Sequence, residues 1–357
     1  MPKIVSVETA LPPHRITQDK TTAFAESLFK QDFHDIGRLL KVFQNGEIET
    51  RYFVNDLEWF SRPHTFQEKN DLFIEYAVKL GARAIEQCLQ HNMKAEYSDI
   101  DAIFTICTTG LATPSIEARI MNKLPFSPHV KRIPIWGLGC AGGASGLARA
   151  YEYCLAFPEA NVLVLSVELC SLTFQHGDRS KSNLVGTSLF ADGVACALVC
   201  GNQSKLLLNQ VTPLPNIFAT QSTLMKDSLD VMGWDIRNEG LYVVFSKDIP
   251  SIVMNWLSPN VERFLFENNI GMDNIHHFVA HPGGKKVVEA YQQALGFGKE
   301  MIEEPMNVLK QFGNMSSATI LYVLKNFMNK SISEGEIGLG AALGPGFSSE
   351  LLLMRWE

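Results

Sequence analysis

Apolar runs of strand length alternate with amphipathic stretches of helical period over most of the chain. The runs at 103–107 and 162–167 are almost wholly apolar, as expected of strands whose two faces are both buried. Apolar residues recur every three or four positions over 71–91 and 251–269, so we predict a helix in each, the second interrupted at Pro259. This alternation predicts an α/β fold with mostly parallel sheets covered by helices.

The pattern occurs twice at a nearly constant spacing. Three pairs of landmarks lie 174 or 175 residues apart: Ile100 and Ile275 at strand starts, Cys140 and Asn314 in glycine-rich turns, and Val162 and Ile337 at the next strand starts. Such a repeat predicts two similar halves, and we set their boundaries at 1–205 and 206–357. The first half carries extra segments at 10–70 and 172–190. No Ser/Gly/Pro-rich linker separates the halves, so we expect them to share a core.

Composition and charge restrict the function. The chain has 357 residues, 46% of them hydrophobic, and its net charge of −7 disfavours binding to nucleic acid or to an anionic membrane. No apolar run approaches the ~18 residues of a membrane span, and the N-terminus lacks the apolar segment of a signal peptide. The seven cysteines form no CxxC pair, which favours reduced thiols in the cytoplasm. No metal-binding or nucleotide-binding motif is present, so neither a metal nor a redox cofactor is expected.

Cys140 is the strongest candidate for a catalytic residue. It lies among glycines directly before a predicted helix, where the helix dipole and free backbone N–H groups favour a thiolate and can bind an oxyanion. The alternative is a small buried hydrophobe, the usual state of a free cysteine. His281 ends a strand and Asn314 begins a helix; a structural histidine and an N-cap are the alternatives for these two. Together the three would form a nucleophile, a base and a hydrogen-bond donor.

Four motifs together resemble one family. They are Trp136-Gly-Leu-Gly-Cys140-Ala-Gly-Gly, Phe278-Val-Ala-His281-Pro-Gly-Gly, Phe312-Gly-Asn314-Met-Ser-Ser and Gly344-Pro345-Gly346. In this order they resemble the type III polyketide synthases, the chalcone-synthase-like enzymes. The segments 108–115 and 232–235 are more similar to the bacterial alkylpyrone and alkylresorcinol synthases than to the plant enzymes. The resemblance implies a thiolase-like, five-layered αβαβα fold built from two similar halves, and a homodimer.

The resemblance also implies the reaction. Cys140 would accept a starter acyl group from CoA, His281 would pair with it and hold it as a thiolate, and Asn314 would be a second hydrogen-bond donor. Malonyl-CoA would lose CO₂, and its enolate would attack the Cys140 thioester in repeated Claisen condensations before cyclisation releases an alkylpyrone or a related product. Acyl-CoA and malonyl-CoA are then substrates. A fatty acyl starter is our hypothesis, while starter length, the number of extensions and the mode of ring closure depend on the volume of the cavity.

Further site residues follow from the resemblance alone. Phe190 matches the phenylalanine that separates the CoA tunnel from the cavity, although ordinary core packing is its alternative. The other residues at cavity-shaping positions are Thr113, Thr173, Trp234, Val243, Ser316, Gly344, Pro345 and Gly346. Trp234 stands where plant enzymes have a small residue, Val243 replaces their second gate phenylalanine, and Thr113 replaces the methionine that reaches across the dimer. We therefore expect a remodelled cavity that is more open beside Phe190. The candidates for binding CoA phosphates are Lys41, Arg51, Lys285 and Lys286, with solvated surface side chains as the alternative.

Two rival functions remain open at this point. A β-ketoacyl-acyl-carrier-protein synthase III has Cys, His and Asn on the same fold but performs one condensation with carrier-bound malonate. The Gly-Pro-Gly loop and the Met-Ser-Ser after Asn314 argue against it. A catalytically silent thiolase-fold binding protein is the other rival. It would tolerate Cys140→Ala and would not show preferential alkylation of Cys140.

Overall fold

Strands and helices alternate along the chain in the computed structural model, which describes residues 1–91, 95–208, 210, 212–246 and 249–357. The strands are β1 (Lys3–Ala10), β2 (His14–Thr17), β3 (Thr50–Phe53), β4 (Ala102–Ile106), β5 (Lys131–Ile135), β6 (Asn161–Leu169), β7 (Asp192–Cys200), β8 (Pro215–Leu224), β9 (Met232–Arg237), β10 (Gly240–Phe245), β11 (Ile275–Ala280), β12 (Ile337–Gly344) and β13 (Ser348–Trp356). The helices are α1 (Gln18–Phe29), α2 (Ile36–Asn45), α3 (Phe66–Gln90), α4 (Ile116–Met121), α5 (Gly142–Ala156), α6 (Lys181–Leu189), α7 (Ile249–Ile252), α8 (Ser258–Glu267), α9 (Lys285–Leu295), α10 (Glu303–Phe312) and α11 (Thr319–Met328). No helix in these ranges is long and apolar enough to cross a bilayer.

The main strands show the internal duplication. Their order in the sheet is β11-β12-β13-β8-β1-β7-β6-β4-β5. In the first half β4 is parallel to β6, β6 is antiparallel to β7, and β7 is antiparallel to β1. The second half repeats these relations with β11, β12, β13 and β8. The halves meet where β1 pairs with β8 at Lys3 and Asn216.

The expectation of mostly parallel sheets was wrong. The parallel pairs are β4–β5, β4–β6 and β11–β12, and the remaining five described pairings of this sheet are antiparallel. Strand β7, whose pairings are both antiparallel, is buried along its whole length, and so is most of its counterpart β13. Their nearly continuous apolar sequence therefore resembled that of parallel strands.

Five layers follow from the packing of the helices. The central layer consists of α5 and α11, which pack against strands of both halves in one apolar core. On the outer face of the first half, α3 covers β6 and β7 in a second core. On the outer face of the second half, α8 and α9 cover β11, β12 and β13 in a third core. This arrangement confirms the five-layered αβαβα thiolase-like fold.

Local signals explain where the predicted helices begin. The helix predicted at 71–91 starts earlier, as α3, because Thr65 and Glu68 form a capping box at its N-terminus. The stretch 251–269 is helical as far as Glu267, but it contains a π-helix at Val253–Leu257, and Pro259 lies in the first turn of α8. Proline lacks the N–H that a first turn leaves unpaired, so it is accommodated there.

The extra segments of the first half form a cap over the strand ends. Apolar residues of α1, α2 and α6 pack together in a small core around Phe29, Phe43 and Leu184. The hairpin β9–β10, from the second half, lies beside α6. The cap therefore forms walls above the ends of β5 and β11, the strands that Cys140 and His281 follow.

Candidate active site

Cys140 lies in a tight turn between β5 and α5. The chain forms a 3-10 helix at Gly139–Ala141, and Gly139 has a φ of +47°. A Cβ at Gly139 would lie 2.7 Å from the ring of Pro345, so glycine is needed for both its conformation and its close contact. A Cβ at Gly344 would be 2.5 Å from the carbonyl oxygen of Leu138. The structure therefore places the Gly-Pro-Gly loop directly against the turn that carries Cys140.

His281 follows the last residue of β11. Its backbone N–H donates to the carbonyl of Ala341 on β12 at 2.8 Å, which fixes the strand end. The side chain is only 2% exposed, and neither ring nitrogen has a hydrogen-bond partner among the described residues. Burial lowers the pKa of His281 to about 3, so the imidazole is neutral and both ring nitrogens are free to meet a substrate.

Asn314 holds its amide in one orientation beside Cys140. Its Oδ1 accepts the backbone N–H of Ser316 at 2.8 Å and lies 3.9 Å from the sulfur of Cys140, whose thiol donates to it. Its Nδ2 donates to the carbonyl of Gly283 at 3.0 Å. An amide nitrogen carries two hydrogens, so one remains for a substrate oxygen.

These three side chains line one apolar cavity, which we call the reaction cavity. Its empty space is about 1260 Å³, part of it open to solvent. The apolar side chains of its wall are Val42, Ile48, Val185, Leu189, Met232, Phe245, Ile249, Pro250, Val287 and Leu343. A cavity of this size with a few polar groups at one point is typical of a small-molecule site.

The predicted equivalence of Cys140 and Asn314 is wrong by three residues. The second half has a matching 3-10 helix at Ser316–Ala318, where Ser316 has a φ of +48° as Gly139 has +47°. The helices that follow begin at Gly142 and Thr319, also 177 residues apart. Ser317 is therefore the counterpart of Cys140. Asn314 reaches the cavity from the preceding turn.

Desolvation opposes the predicted pair of a Cys140 thiolate and a His281 imidazolium. Burial raises the pKa of Cys140 to about 12, although hydrogen bonds with Ser316 and Asn314 partly oppose this. Burial lowers the pKa of His281. Desolvation therefore favours the neutral imidazole of buried His281 and the neutral thiol of Cys140, which is itself only half-buried.

Glu168 is a buried acid close to Cys140 that sequence reasoning missed. Its carboxylate accepts hydrogen bonds from the hydroxyls of Ser317 and Thr109 at 2.5 and 2.9 Å and from the backbone of Thr108 at 3.1 Å. Burial raises its pKa to about 7, and its charge raises the pKa of Cys140. A lone acid inside the apolar strand β6 was the signal that could have identified it.

Phe190 packs in an aromatic group with two residues of the β9–β10 hairpin. Its ring centroid lies 5.5 Å from that of Phe245 and 5.9 Å from that of Trp234. Val243 pairs with Trp234 across the hairpin. Phe245, two residues after Val243, stacks on one side of Phe190, while Val243 and Phe190 both line a second cavity.

A second apolar cavity, which we call the side cavity, lies on the other face of α6. It has about 490 Å³ of empty space, and its wall includes Phe190, Thr173, Val243 and Gly186. Val185 and Leu189 of the same helix line the reaction cavity. Helix α6 therefore separates the two cavities.

Ser316 and Thr113 have different surroundings. Ser316 is buried beside Asn314, as described above. Thr113 is exposed and lines neither cavity of its own chain, so the structure does not bring it to Cys140 within one protomer.

Two of the four CoA candidates lie at the mouth of the reaction cavity. Lys285 and Lys286 line it, and Lys285 also pairs with Glu47 at 2.5 Å. Lys41 is exposed on α2, one residue before Val42 of the wall. Arg51 was a wrong candidate: it is 1% exposed and donates to the carbonyls of α6 and its C-terminus, so it cannot reach a phosphate at the surface.

Both halves of the chain match family models. Residues 2–203 match the N-terminal domain of the chalcone and stilbene synthases, and residues 216–356 match their C-terminal domain.

Named relatives and a solved structure are similar over nearly the full length. A Bacillus subtilis (strain 168) protein named "Putative chalcone synthase" is 52% identical over 99% of this chain and 98% of its own. The 1,3,6,8-tetrahydroxynaphthalene synthase of Streptomyces peucetius subsp. caesius is 33% identical over 99% and 93%. The crystal structure of 1,3,6,8-tetrahydroxynaphthalene synthase from Streptomyces coelicolor A3(2), a bacterial type III polyketide synthase, superposes with a TM-score of 0.93 at 26% identity, covering 99% of each chain.

Proposed function

Because the chain belongs to the chalcone and stilbene synthase family of type III polyketide synthases, we propose that it loads a fatty acyl group from CoA onto Cys140 and extends it with malonyl-CoA. The protein is an enzyme, an acyltransferase. The proposed products are alkylpyrones or related cyclised polyketides. One observation supports the proposal best: Cys140, His281 and Asn314 meet in a large cavity whose wall is mainly apolar.

Loading transfers the acyl group from CoA to Cys140. As the sulfur attacks the thioester carbonyl, the neutral imidazole of His281 takes the proton of the thiol. The bond from the acyl carbon to the CoA sulfur then breaks, and CoA leaves as its thiol with that proton. Only a neutral imidazole can accept this proton, and burial favours that form of His281.

Extension begins with the loss of CO₂ from malonyl-CoA. The electron pair of the broken bond moves to the thioester oxygen and forms an enolate, which needs hydrogen-bond donors. The free Nδ2 hydrogen of Asn314 and a ring N–H of His281 supply them. The enolate carbon attacks the acyl group on Cys140, and the sulfur of Cys140 becomes the leaving group. No step transfers electrons to an external acceptor, so the proposed reaction uses no redox cofactor, and because Asn314 and His281 are the proposed donors to the enolate it uses no metal.

Apolar surfaces support a fatty acyl starter. The reaction cavity offers aliphatic walls from α2, α6 and α7. We place the distal part of the chain in the side cavity, which it would enter past Phe190, whose ring stacks on Phe245 of the reaction cavity wall. Burial of each methylene contributes ~0.8 kcal/mol, so longer chains should bind more tightly until the space is filled.

Lysines at the cavity mouth support entry of CoA from that side. Lys285 and Lys286 begin α9 and are exposed enough to meet phosphates. Lys41 lies on α2 across the opening from them. A cytoplasmic location fits the CoA substrates and the seven free thiols.

A homodimer is part of the proposal. Strand β5 forms an edge of the described sheet and has β4 as its strand neighbour there. Leu111 and Trp136, which follow β4 and β5, are 42% and 45% exposed. An unpaired edge with apolar side chains at its end suits a second copy of the chain, and exposed Thr113 lies in the same region.

A starter panel tests the function. Purified protein is incubated with malonyl-CoA and acyl-CoA starters of increasing length, without carrier protein, and products are identified by mass spectrometry. We expect cyclic tri- or tetraketides that retain the alkyl chain, and none from Cys140→Ala. A single β-keto product formed only with carrier-bound malonate would contradict the proposal. A naphthalene product from malonyl-CoA alone would contradict the fatty acyl starter and retain the family reaction.

A further inference from the structure

Tyr291 carries a buried hydroxyl without a partner in the wall of the reaction cavity. The side chain is 0% exposed, and its hydroxyl has no hydrogen-bond partner in the part of the chain that the structure describes. The residue lines the same cavity as Cys140, His281 and Asn314. A buried polar group without a partner costs free energy, so such groups in native proteins call for an explanation.

Other buried tyrosines of this protein have partners. Tyr322 donates to the carbonyl of Val194 at 3.3 Å, and Tyr151 donates to the carbonyl of Phe218 at 3.0 Å. Both lie in the central layer, Tyr151 on α5 and Tyr322 on α11, and neither lines the reaction cavity. The unpartnered hydroxyl is thus found where a ligand can reach it.

The surrounding chain holds the ring of Tyr291 in place. Helix α9 starts four residues after His281, and Tyr291 lies on its buried face. Its ring packs edge-on against Phe278 of β11, with centroids 5.6 Å apart. Both burial and the charge that Cys140 would carry raise the pKa of Tyr291, so the phenol stays protonated and can donate.

We propose that the Tyr291 hydroxyl donates a hydrogen bond to the carbonyl oxygen of the acyl group carried by Cys140. This inference rests on the proposed function, since it requires an acyl-enzyme. A donor at that oxygen polarises the carbonyl and stabilises the negative charge that develops when the malonyl-derived enolate attacks it. Asn314 and His281 remain the donors for the enolate, so Tyr291 acts on the other reaction partner.

The variant Tyr291→Phe removes the hydroxyl and keeps the ring that packs on Phe278. We expect the condensation rate, measured in single turnover from preformed acyl-enzyme, to fall ~10- to 100-fold. Decarboxylation of malonyl-CoA without a starter should stay within about two-fold of the parent. The infrared band of a ¹³C-labelled acyl carbonyl on Cys140 should move to higher frequency, because the carbonyl loses its donor.

Tyr322→Phe is the matched control. It removes a buried hydroxyl outside the cavity, so it should lower the melting temperature and leave both the condensation rate and the infrared band unchanged. An unchanged condensation rate and an unchanged band in Tyr291→Phe would overturn the proposal. If the proposed function itself failed, the parent would form no acyl-enzyme on Cys140. Mass spectrometry detects that outcome before any variant is compared.

Discussion

Opposing influences act on the thiol of Cys140. Burial is the largest and raises its pKa, hydrogen bonds involving Ser316 and Asn314 lower it, and the charge of Glu168 raises it further. Desolvation favours the neutral forms of the half-buried Cys140 thiol and of the buried His281 imidazole. The ionisation state of this thiol therefore sets its reactivity, which makes the pH profile of Cys140 informative.

The first prediction concerns that profile. Thiolate is the reactive form, and with a raised pKa its fraction grows ~10-fold for each pH unit. We expect the rate of alkylation of Cys140 by iodoacetamide to rise steadily from about pH 6 to about pH 10. Peptide mass spectrometry measures it, with half-buried Cys107 as an internal reference. A rate that is level from about pH 6 upward would show that Cys140 and His281 already form an ion pair.

The second prediction concerns Asn314. Its Nδ2 has one hydrogen on the carbonyl of Gly283 and one free for the enolate oxygen. We expect Asn314→Ala to slow decarboxylation of malonyl-CoA by ~10²–10³-fold, the usual cost of losing one oxyanion donor. Asn161→Ala, which removes a buried amide bonded to the carbonyl of Asp99 far from the cavity, is the control and should decarboxylate like the parent. Equal rates for the Asn314 variant and the parent would remove Asn314 from the mechanism.

Residues with a distinctive local sequence could be predicted, and residues defined by tertiary contacts could not. Cys140 and His281 stand beside glycines and prolines that mark unusual turns, and the structure brings them to one cavity. Tyr291 lies on the apolar face of an amphipathic helix, so its sequence context predicts an ordinary core residue. Only the packed structure shows that its hydroxyl lacks a partner. Arg51 was misassigned because sequence does not distinguish a buried arginine from an exposed one.

Among the elements, α6 has the greatest influence on substrate choice. One face lines the reaction cavity and the other lines the side cavity, where Gly186 leaves space. A Cβ at Gly186 would make ordinary contacts, 3.4 Å from Phe190 and 3.5 Å from Val243. A small side chain therefore fits, and a larger one would fill the side cavity.

The third prediction uses this position. We expect Gly186→Leu to lower kcat/KM for long acyl-CoA starters at least ~10-fold while acetyl-CoA is little affected, because the added side chain occupies the space for the distal chain. Gly186→Ala should remain close to the parent. Gly177→Leu, at an exposed glycine with open space around it, controls for adding leucine near the cap. Uniform loss across all starter lengths would instead indicate damage to the cap.

The fourth prediction concerns how α6 is held. Arg51 donates to the carbonyls of Thr187 and Phe190 at 2.7 Å and lies near the buried carboxyl of Asp192. Arg51→Met removes a cation from the end of the helix dipole and leaves these groups unpaired. We expect the free energy of unfolding to fall by about 3–5 kcal/mol at pH 8, measured by urea denaturation.

The loss in that variant should be smaller at about pH 5.5. Burial already raises the pKa of Asp192 to about 7, and removing Arg51 would raise it further. At about pH 5.5 the folded carboxyl is protonated in both proteins, so the loss there comes from the unpaired carbonyls; above about 7 the parent ionises Asp192 beside Arg51 and the variant does not, so the difference grows. Arg83→Met on the exposed face of α3 should change stability by less than about 0.5 kcal/mol at either pH. A pH-independent loss would assign the effect to the carbonyls alone.

The repeat shows how far elements could be predicted. Turns at Tyr97–Asp99 and Met272–Asn274 are 175 residues apart, so the strands after them agree with the sequence-based register. The glycine-rich turns differ by 177, because the two halves use loops of different length before the same 3-10 helix. A hydrophobic pattern aligns strands and helices, but it carries no information on loop length, which was the source of the three-residue error.

At the scale of the whole molecule, the duplication explains why the site belongs to both halves. Cys140 begins α5 and Ser317, its counterpart, leads into α11, and these two helices form the central layer. The turn from the second half sends Asn314 and the acid-binding Ser317 towards the first half. Neither half contains both the nucleophile and the hydrogen-bond donors. Separate expression of 1–205 and 206–357 would therefore leave Cys140 in one polypeptide and His281 and Asn314 in the other.

The edge of the sheet formed by β5 leads to the fifth prediction, which concerns dimerisation. Among the described strands β5 pairs only with β4, so its outer side has unpaired backbone groups there, although Pro134 lacks an N–H, and exposed Trp136 follows it. We expect the parent to sediment as a dimer and Trp136→Arg as a monomer, because a charge would be buried without a partner at the interface. Phe266→Arg, at an 82% exposed phenylalanine at the end of α8, is the matched control and should remain dimeric. A monomeric parent at micromolar concentration, or a dimeric Trp136→Arg, would exclude this edge as the interface and leave Thr113 without a role in the cavity of a partner.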